Sequence, residues 1–256
     1  MRDRDVTFCV CTYNSEKLLP RCLSSIRKIG RESEILVVDH ESKDATQEIA
    51  KEFGAEIIEE NVGLGHARQV CFDNVRTAFL VFVDSDVEIT MDSFLEKANS
   101  FLDLREYGAV VGMAIGHKFA YGLPGSLLVL RTNDFGGKIV PDYIDARETF
   151  FIQNRLDALR LKTAYIFNSM RHTSQFRKYK PEWEGANTRI LPSPMSKELA
   201  FTTKVILLLT LNSRNVTNLV YLPIFYLKFL RGFLNPGPWL KIRRAEDVVS
   251  HKEIHQ

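Results

Sequence analysis

Short apolar runs and stretches of helical periodicity alternate from residue 6 to about residue 104. Val6 to Val10 is β-branched and aromatic, and it ends at the polar turn Thr12-Tyr13-Asn14. Residues 16–29 place Leu19, Leu23 and Ile26 at helical spacing, with Pro20 tolerable in a first turn. Ile35-Leu36-Val37-Val38 predicts a second buried strand that stops at Asp39. Asp44 can cap the next helix, which puts Ile49, Ala50 and Phe53 on one face. Ala55 to Glu59 predicts a third strand, followed by the turn Asn61-Val62-Gly63-Leu64-Gly65 and a helix from about His66 to Val75. Ala78 to Val83 predicts a fourth strand that ends at Asp84, and residues 92–104 predict a further helix. Short apolar strands joined by crossover helices imply a parallel sheet covered on both faces.

Beyond residue 104 the alternation loosens. Ala109 to Ile115 and Ser126 to Leu130 predict strands, residues 145–161 predict a helix, and Pro181, Pro192 and Pro194 break the stretch before residue 198. In an α/β sheet of this kind, ligands bind beyond the carboxyl ends of the strands. Three neighbouring strand ends here carry polar clusters: Thr12-Tyr13-Asn14, Asp39 and Asp84-Ser85-Asp86. Two carboxylates two residues apart, just past a buried strand, can share one hard divalent cation and leave room for phosphate oxygens.

Charge refines this picture. Residues 1–150 carry 17 Lys and Arg against 25 Asp and Glu, whereas residues 151–256 carry 17 against 7. The acidic part suits a cation site, and the basic part suits phosphate or an anionic membrane surface. The basic residues are not interleaved with a nucleic-acid reader motif, so no nucleic-acid partner is expected. Cys9, Cys11, Cys22 and Cys71 form no Cys-x-x-Cys pair or zinc spacing and are expected as buried free thiols of a reducing compartment. No signal peptide and no uninterrupted run of about 18 apolar residues is visible. Residues 199–244 mix Leu, Ile, Phe and Tyr with Lys228, Arg231, Lys241, Arg243 and Arg244. Such a segment suits helices lying in a membrane interface, or helices packed on the catalytic domain or on a second subunit.

Taken in order, four elements carry a family resemblance. They are Thr12-Tyr13-Asn14; the segment Val37-Val38-Asp39-His40-Glu41-Ser42-Lys43-Asp44-Ala45-Thr46; Asn61-Val62-Gly63 with Ala67-Arg68; and Asp84-Ser85-Asp86. Together they resemble the motifs of family 2 glycosyltransferases. The resemblance implies an α/β fold of GT-A type, a Rossmann-like and mostly parallel sheet with helices on both faces, plus a C-terminal helical segment. The corresponding organisation is a catalytic domain over 1–195, with a nucleotide-sugar half at 6–104 and an acceptor half at 105–195, followed by amphipathic helices and a tail at 196–256.

The resemblance also implies roles. Thr12, Tyr13, Asn14 and Asp39 would hold the base and ribose, and Arg68, Asp84 and Ser85 the rest of the nucleotide sugar. Asp84 and Asp86, with His172, would hold Mg²⁺ or Mn²⁺. Gly125-Ser126 and Leu130-Arg131 are similar to acceptor-side elements. The family's Glu-Asp pair is not intact in Asp145-Ala146-Arg147-Glu148-Thr149, which leaves Glu148 as first choice for the base and Asp145 as second. Gln69 stands where the family usually has asparagine, and His40-Glu41 where Asp-Gly is commoner.

The expected reaction is inverting transfer of a sugar from a nucleotide-diphosphate donor, UDP by resemblance, to a hydroxyl on a lipid-linked, polysaccharide or protein acceptor. The expected location is cytoplasmic, with peripheral contact at the membrane's cytoplasmic face, and an oligomer is compatible with the sequence. Two other readings stand beside it: a sugar nucleotidyltransferase, disfavoured because Thr12-Tyr13-Asn14-Ser15 is no glycine-rich basic loop, and a non-catalytic nucleotide-sugar-binding module.

Overall fold

In a computed structural model, residues 3–174, 181–213, 220 and 222–240 are described. The predicted alternation is present: β1 (Val6–Thr12), α1 (Leu19–Ile29), β2 (Glu34–Asp39), α2 (Thr46–Glu52), β3 (Glu56–Glu59), α3 (Leu64–Asn74) and β4 (Phe79–Val83). A short strand β5 (Val87–Ile89) follows, then α4 (Phe94–Leu102), β6 (Tyr107–Ala114), β7 (Leu127–Arg131), α5 (Thr149–Ala158) and β8 (Lys162–His172). The helices α6 (Pro181–Arg189), α7 (Met195–Ser213) and α8 (Leu222–Leu234) come last. Lys241, Arg243 and Arg244, and part of the apolar stretch before residue 222, lie outside the described residues.

One eight-stranded sheet has the order β3-β2-β1-β4-β7-β6-β8-β5. The β3-β2-β1-β4 half is parallel, as its crossover helices require. Strand β7 runs antiparallel to both β4 and β6, and β5 runs antiparallel to β8. The sheet is therefore mixed, with the antiparallel strands confined to the half where the sequence alternation loosens.

Alternation of side chains fills both faces. Phe8, Val10, Ile35 and Val37 meet Leu23 and Ile26 of α1 and Phe94 of α4 on one side. Cys9, Leu36, Val38, Leu80 and Phe82 meet Ala67, Cys71 and Phe72 of α3 and Ile152 of α5 on the other. Burying each such large side chain contributes about 1.5–3 kcal/mol. All four cysteines are free, with Cys9, Cys22 and Cys71 buried and Cys11 half-buried.

Helices α6 and α8 cross in backbone contact. A Cβ built on Gly185 would lie 2.0 Å from the carbonyl oxygen of Phe229, and one on Gly232 would lie 1.8 Å from that of Glu182. No side-chain rotation relieves a clash with backbone. We expect Gly232→Ala to cost about 2–3 kcal/mol, read as a lower denaturant midpoint, because overpacking forces the backbones apart. Helix α7 joins the same assembly through a hydrogen bond between the Thr203 and Tyr226 hydroxyls. No helix among the described residues is long and apolar enough to cross a membrane.

Candidate active site

Three strand ends meet as anticipated, and each is locked to the next. At the end of β2, Asp39 has no exposed surface. Its Oδ1 accepts from the hydroxyls of Thr12 and Ser42 at 2.6 Å each, and its Oδ2 accepts from the Ser42 amide at 2.8 Å and the Gln47 amide group at 3.0 Å. Burial alone would push this carboxyl up, but the donors from Ser42, Thr12 and Gln47 outweigh it and hold its pKa below the usual value. With four donors the acceptor positions of the carboxylate are filled. A nucleotide base reaching Asp39 must displace Ser42 or Gln47. Asn14 turns through a left-handed conformation, and its Oδ1 accepts from the Lys43 amide at 2.9 Å. Tyr13, between Thr12 and Asn14, is 63% exposed.

His40 and Glu41 explain themselves in part. Glu41 has φ +47°, so a left-handed position that commonly holds glycine in the resembling motif is occupied here by a side chain, at a cost of about 1 kcal/mol. The ring of His40 meets that of Tyr13 edge-on, with centroids 5.4 Å apart. Its Nδ1 contacts Glu60 at 2.5 Å, and Glu60 also accepts from the amides of Val62 and Gly63 at 2.8 Å each. Sequence reasoning passed over Glu60. The available signal was an acid at a strand end directly before an Asn-x-Gly turn, where two amides need an acceptor. Gln69 is a structural tie: its Oε1 accepts from the amides of Ile139 and Val140 at 2.8 and 2.9 Å.

The third cluster follows β4. Ser85 accepts a hydrogen bond from the Ser15 hydroxyl at 3.2 Å, which joins the Asp-x-Asp turn to the first loop. The register Val87↔His172 between β5 and β8 carries His172 to Asp86, with Nδ1 3.4 Å from Oδ1. The Ser174 hydroxyl donates to the other Asp86 oxygen. Among the described residues no group of three or more His, Cys, Asp or Glu is placed to hold a metal ion, so Asp84, Asp86 and His172 do not form a preformed three-ligand set. The structure brings His172 to Asp86, while Asp84 is engaged by Arg68.

Arg68, on α3, is only 2% exposed. Its Nη2 donates to Asp84 Oδ1 at 2.8 Å, its guanidinium lies 4.3 Å from the centre of the Phe82 ring, and its Nε stands 3.9 Å from Glu148 Oε1. Nε and Nη1 are buried without a hydrogen-bond partner. Burial opposes the charge, but the surroundings of Cys11, Asp84 and Glu148 raise its pKa above the ordinary arginine value, so it stays cationic. Arg68 therefore lies behind Asp84 and spans the gap between the Asp-x-Asp turn and Glu148.

Glu148 immediately precedes α5, at its N-cap position, and helix begins at Thr149 and not at 145. Arg147, with φ +66°, is the reason: the chain reverses there. Asp145 remains in the loop outside the helix. Burial pushes the Glu148 carboxyl up, and the nearby Arg68 only partly offsets this. Gly125 makes room for the group, since a Cβ there would stand 3.3 Å from Glu148 Oε1 and 3.6 Å from Arg68 Nη2. Arg147 itself points elsewhere. It pairs with Glu198 of α7, donates to Thr188 at 3.2 Å and lies 5.4 Å from the Phe201 ring. Glu184 of α6, also pushed up by burial, lies within electrostatic reach of Arg147 and Glu148, and no local sequence signal pointed to it.

Comparison with known proteins bears on this geometry. Residues 7–178 match the model of glycosyl transferase family 2. Over 126 residues the chain is 35% identical to glycosyltransferase GlyA of Streptococcus pneumoniae, covering 46% of this chain and 17% of GlyA. It is 29% identical over 107 residues to the teichoic acid poly(glycerol phosphate) polymerase of Staphylococcus epidermidis, covering 37% of this chain and 15% of that protein. The matches thus span less than a fifth of either relative's length. The S. aureus TarS 1–349 crystal structure aligns with a TM-score of 0.54 at 22% identity, over 76% of this chain and 67% of TarS 1–349. Glucosyl-3-phosphoglycerate synthase from Mycobacterium tuberculosis, crystallised with Mg²⁺ and UDP, aligns at 0.55 and 18% identity, over 72% of this chain and 75% of that one. At these identities the structural matches support the fold.

Proposed function

Because the chain belongs to glycosyl transferase family 2 and is a glycosyltransferase, we propose that it moves a sugar from a UDP-sugar to an acceptor hydroxyl, with Glu148 as base, by inverting displacement. The observation that carries the reading is Arg68, a buried cation that touches Asp84 on one side and approaches Glu148 on the other. One guanidinium thus joins the diphosphate end to the base, and their separation is set by a rigid fork. The UDP assignment is supported by the neighbours crystallised with UDP or UDP-GlcNAc.

The exposed Tyr13 ring offers the base a stacking face, backed by His40. Thr12, Asn14 and Asp39 act mainly by fixing the loops around it, since their hydrogen bonds run between those loops. Mg²⁺ or Mn²⁺ held by Asp84, Asp86 and His172 would supply positive charge at the diphosphate. Arg68 reinforces that charge from beneath Asp84, while Ser85 holds the turn to the first loop. Glu148, with a raised pKa, accepts the proton of the attacking hydroxyl. Asp145, in the loop three residues earlier, is the second candidate. The 1–195 and 196–256 division is proposed as functional only, because α7 contacts the Glu148 turn. Cytoplasmic placement and peripheral membrane contact through 199–244 belong to the same proposal.

A panel of nucleotide sugars, assayed for thermal stabilisation and nucleotide release with and without Mn²⁺, tests it. We expect UDP and one UDP-sugar to raise the melting temperature only with the metal, and that sugar to be hydrolysed slowly without acceptor. Stabilisation by a purine nucleotide alone would overturn the donor assignment. Binding without any turnover would overturn the role of Glu148.

A further inference from the structure

A cavity of about 650 Å³ lies between α5, the start of β8, the loop around Gly122 and helix α7. Arg147 and Thr149, the two chain neighbours of Glu148, both line it, whereas the Glu148 carboxylate faces Arg68 and Gly125 and is not part of the lining. From Thr149 it follows one face of α5 to Asp157. Eight residues at about 1.5 Å each make this wall about 12 Å long. Lys197, Phe201 and Lys204 of α7, spaced by four and three residues, form the facing wall. The cavity is thus a groove that runs away from the transfer site.

Its walls combine two chemistries. Phe150, Leu161, Tyr165 and Phe201 supply apolar surface. The charges around them are unevenly balanced. Glu198 is paired with Arg147, and Lys162 with Glu106 at 2.6 Å. Among the described residues Lys197, Lys204 and Asp157 of this lining enter no ion pair; the Asp157 carboxylate, at the far end, accepts from the Gln153 amide group at 2.7 Å, so the lysines outnumber that acid two to one. Two cations seven residues, about two helical turns, apart, over an aromatic and aliphatic wall, match an anion attached to an apolar chain. A neutral sugar would leave both ammonium groups without a counter-charge, and a bare phosphate would leave the aromatic wall uncovered.

We propose that this groove seats the acceptor, and that the acceptor is a phosphate-bearing amphiphile. Its apolar chain lies along Phe150, Leu161 and Phe201, its phosphate meets Lys197 and Lys204, and its hydroxyl-bearing end is directed to the Arg147–Thr149 turn that carries Glu148. Only the last clause rests on the assignment of Glu148 as base. Helix α7 holds the groove's loop in place: Asn212 accepts from the amides of Lys118 and Phe119, and the Phe201 ring packs where a Gly122 side chain would stand.

The test uses decyl phosphate below its micellar range, with decanol and inorganic phosphate as partial probes, in titration calorimetry on the full chain. We expect decyl phosphate to bind at least tenfold more tightly than either partial probe, and Lys197→Glu/Lys204→Glu to weaken it at least tenfold. UDP affinity should be unchanged in that double variant, since neither lysine approaches the strand ends. Equal binding of decyl phosphate and decanol, or no loss in the double variant, overturns the proposal. Anionic vesicles that bind the wild type and not the double variant, while decyl phosphate binds neither, would assign the basic face to a membrane surface and also overturn it. Failure of UDP to bind the wild type would remove the donor reading and leave the groove result standing.

Discussion

Glu148→Gln will lower sugar transfer by about 10³-fold while UDP binding stays within a factor of two. The substitution keeps the size and the N-cap position of the residue and removes only its capacity to take a proton. Gly125 and Arg68 on either side are untouched. The pH profile supplies a second readout. Burial raises the Glu148 pKa, so transfer in the wild type should fall as pH drops through that raised value and should level off above it. The same shift has a stability consequence of defined sign. A carboxyl whose folded pKa is raised destabilises the folded state once it ionises. That penalty is absent below the ordinary carboxyl pKa and complete above the raised one. Glu148→Gln should therefore leave the melting temperature at neutral pH equal to or above that of the wild type. A variant that keeps transfer, or one that loses UDP binding in proportion, would move the base elsewhere, with Asp145→Asn as the next substitution to measure.

Asp86→Ala will abolish the Mn²⁺ dependence of UDP stabilisation and lower transfer by about 10³-fold or more. Asp86 is the carboxylate that His172 and Ser174 attend, whereas Asp84 is already engaged by Arg68. The two acids are therefore unequal. Asp84→Ala should also leave the buried Arg68 guanidinium without its closest partner, and so destabilise the fold as well as the site. Asp86→Ala should cost activity with little change in unfolding midpoint. Its backbone carbonyl, which accepts from Thr173, remains in place. Metal-dependent transfer retained in Asp86→Ala would sink the assignment.

The strand-end clusters were readable because their signals are local. A strand that ends in an acid, followed by a turn and a capped helix, writes its geometry into ten consecutive residues. Asp39 with Ser42, Asp44 and Gln47 is such a case, and the structure joins Asp39 to Ser42 and Gln47, with Asp44 holding the Thr46 amide at the helix start. The surroundings of the Glu148 turn depend on residues distant in sequence. Arg147 meets Glu198 across 51 positions, and the Lys118 amide meets Asn212 across 94. No periodicity encodes such pairs. The β5 strand, only three residues long, is too short to show alternation and exists because β8 supplies its partner. Helix α5 was expected over 145–161 on Phe150, Phe151, Leu156 and Leu159, none of which marks its first turn. The left-handed Arg147 delays its start to Thr149, and the Arg147 side chain pairs with Glu198 of α7.

The backbone crossing of α6 and α8 bears on how this protein can be cut and recombined. With no atom to spare between Gly185 and Gly232, the last helix is a fixed neighbour of the one that carries Glu184. A fragment trimmed before α6 would retain the strand-end clusters but lose both helices of that joint. The same tight joint makes α6 and α8 a pair that has to be exchanged together: either one moved alone would meet a surface without the matching glycine.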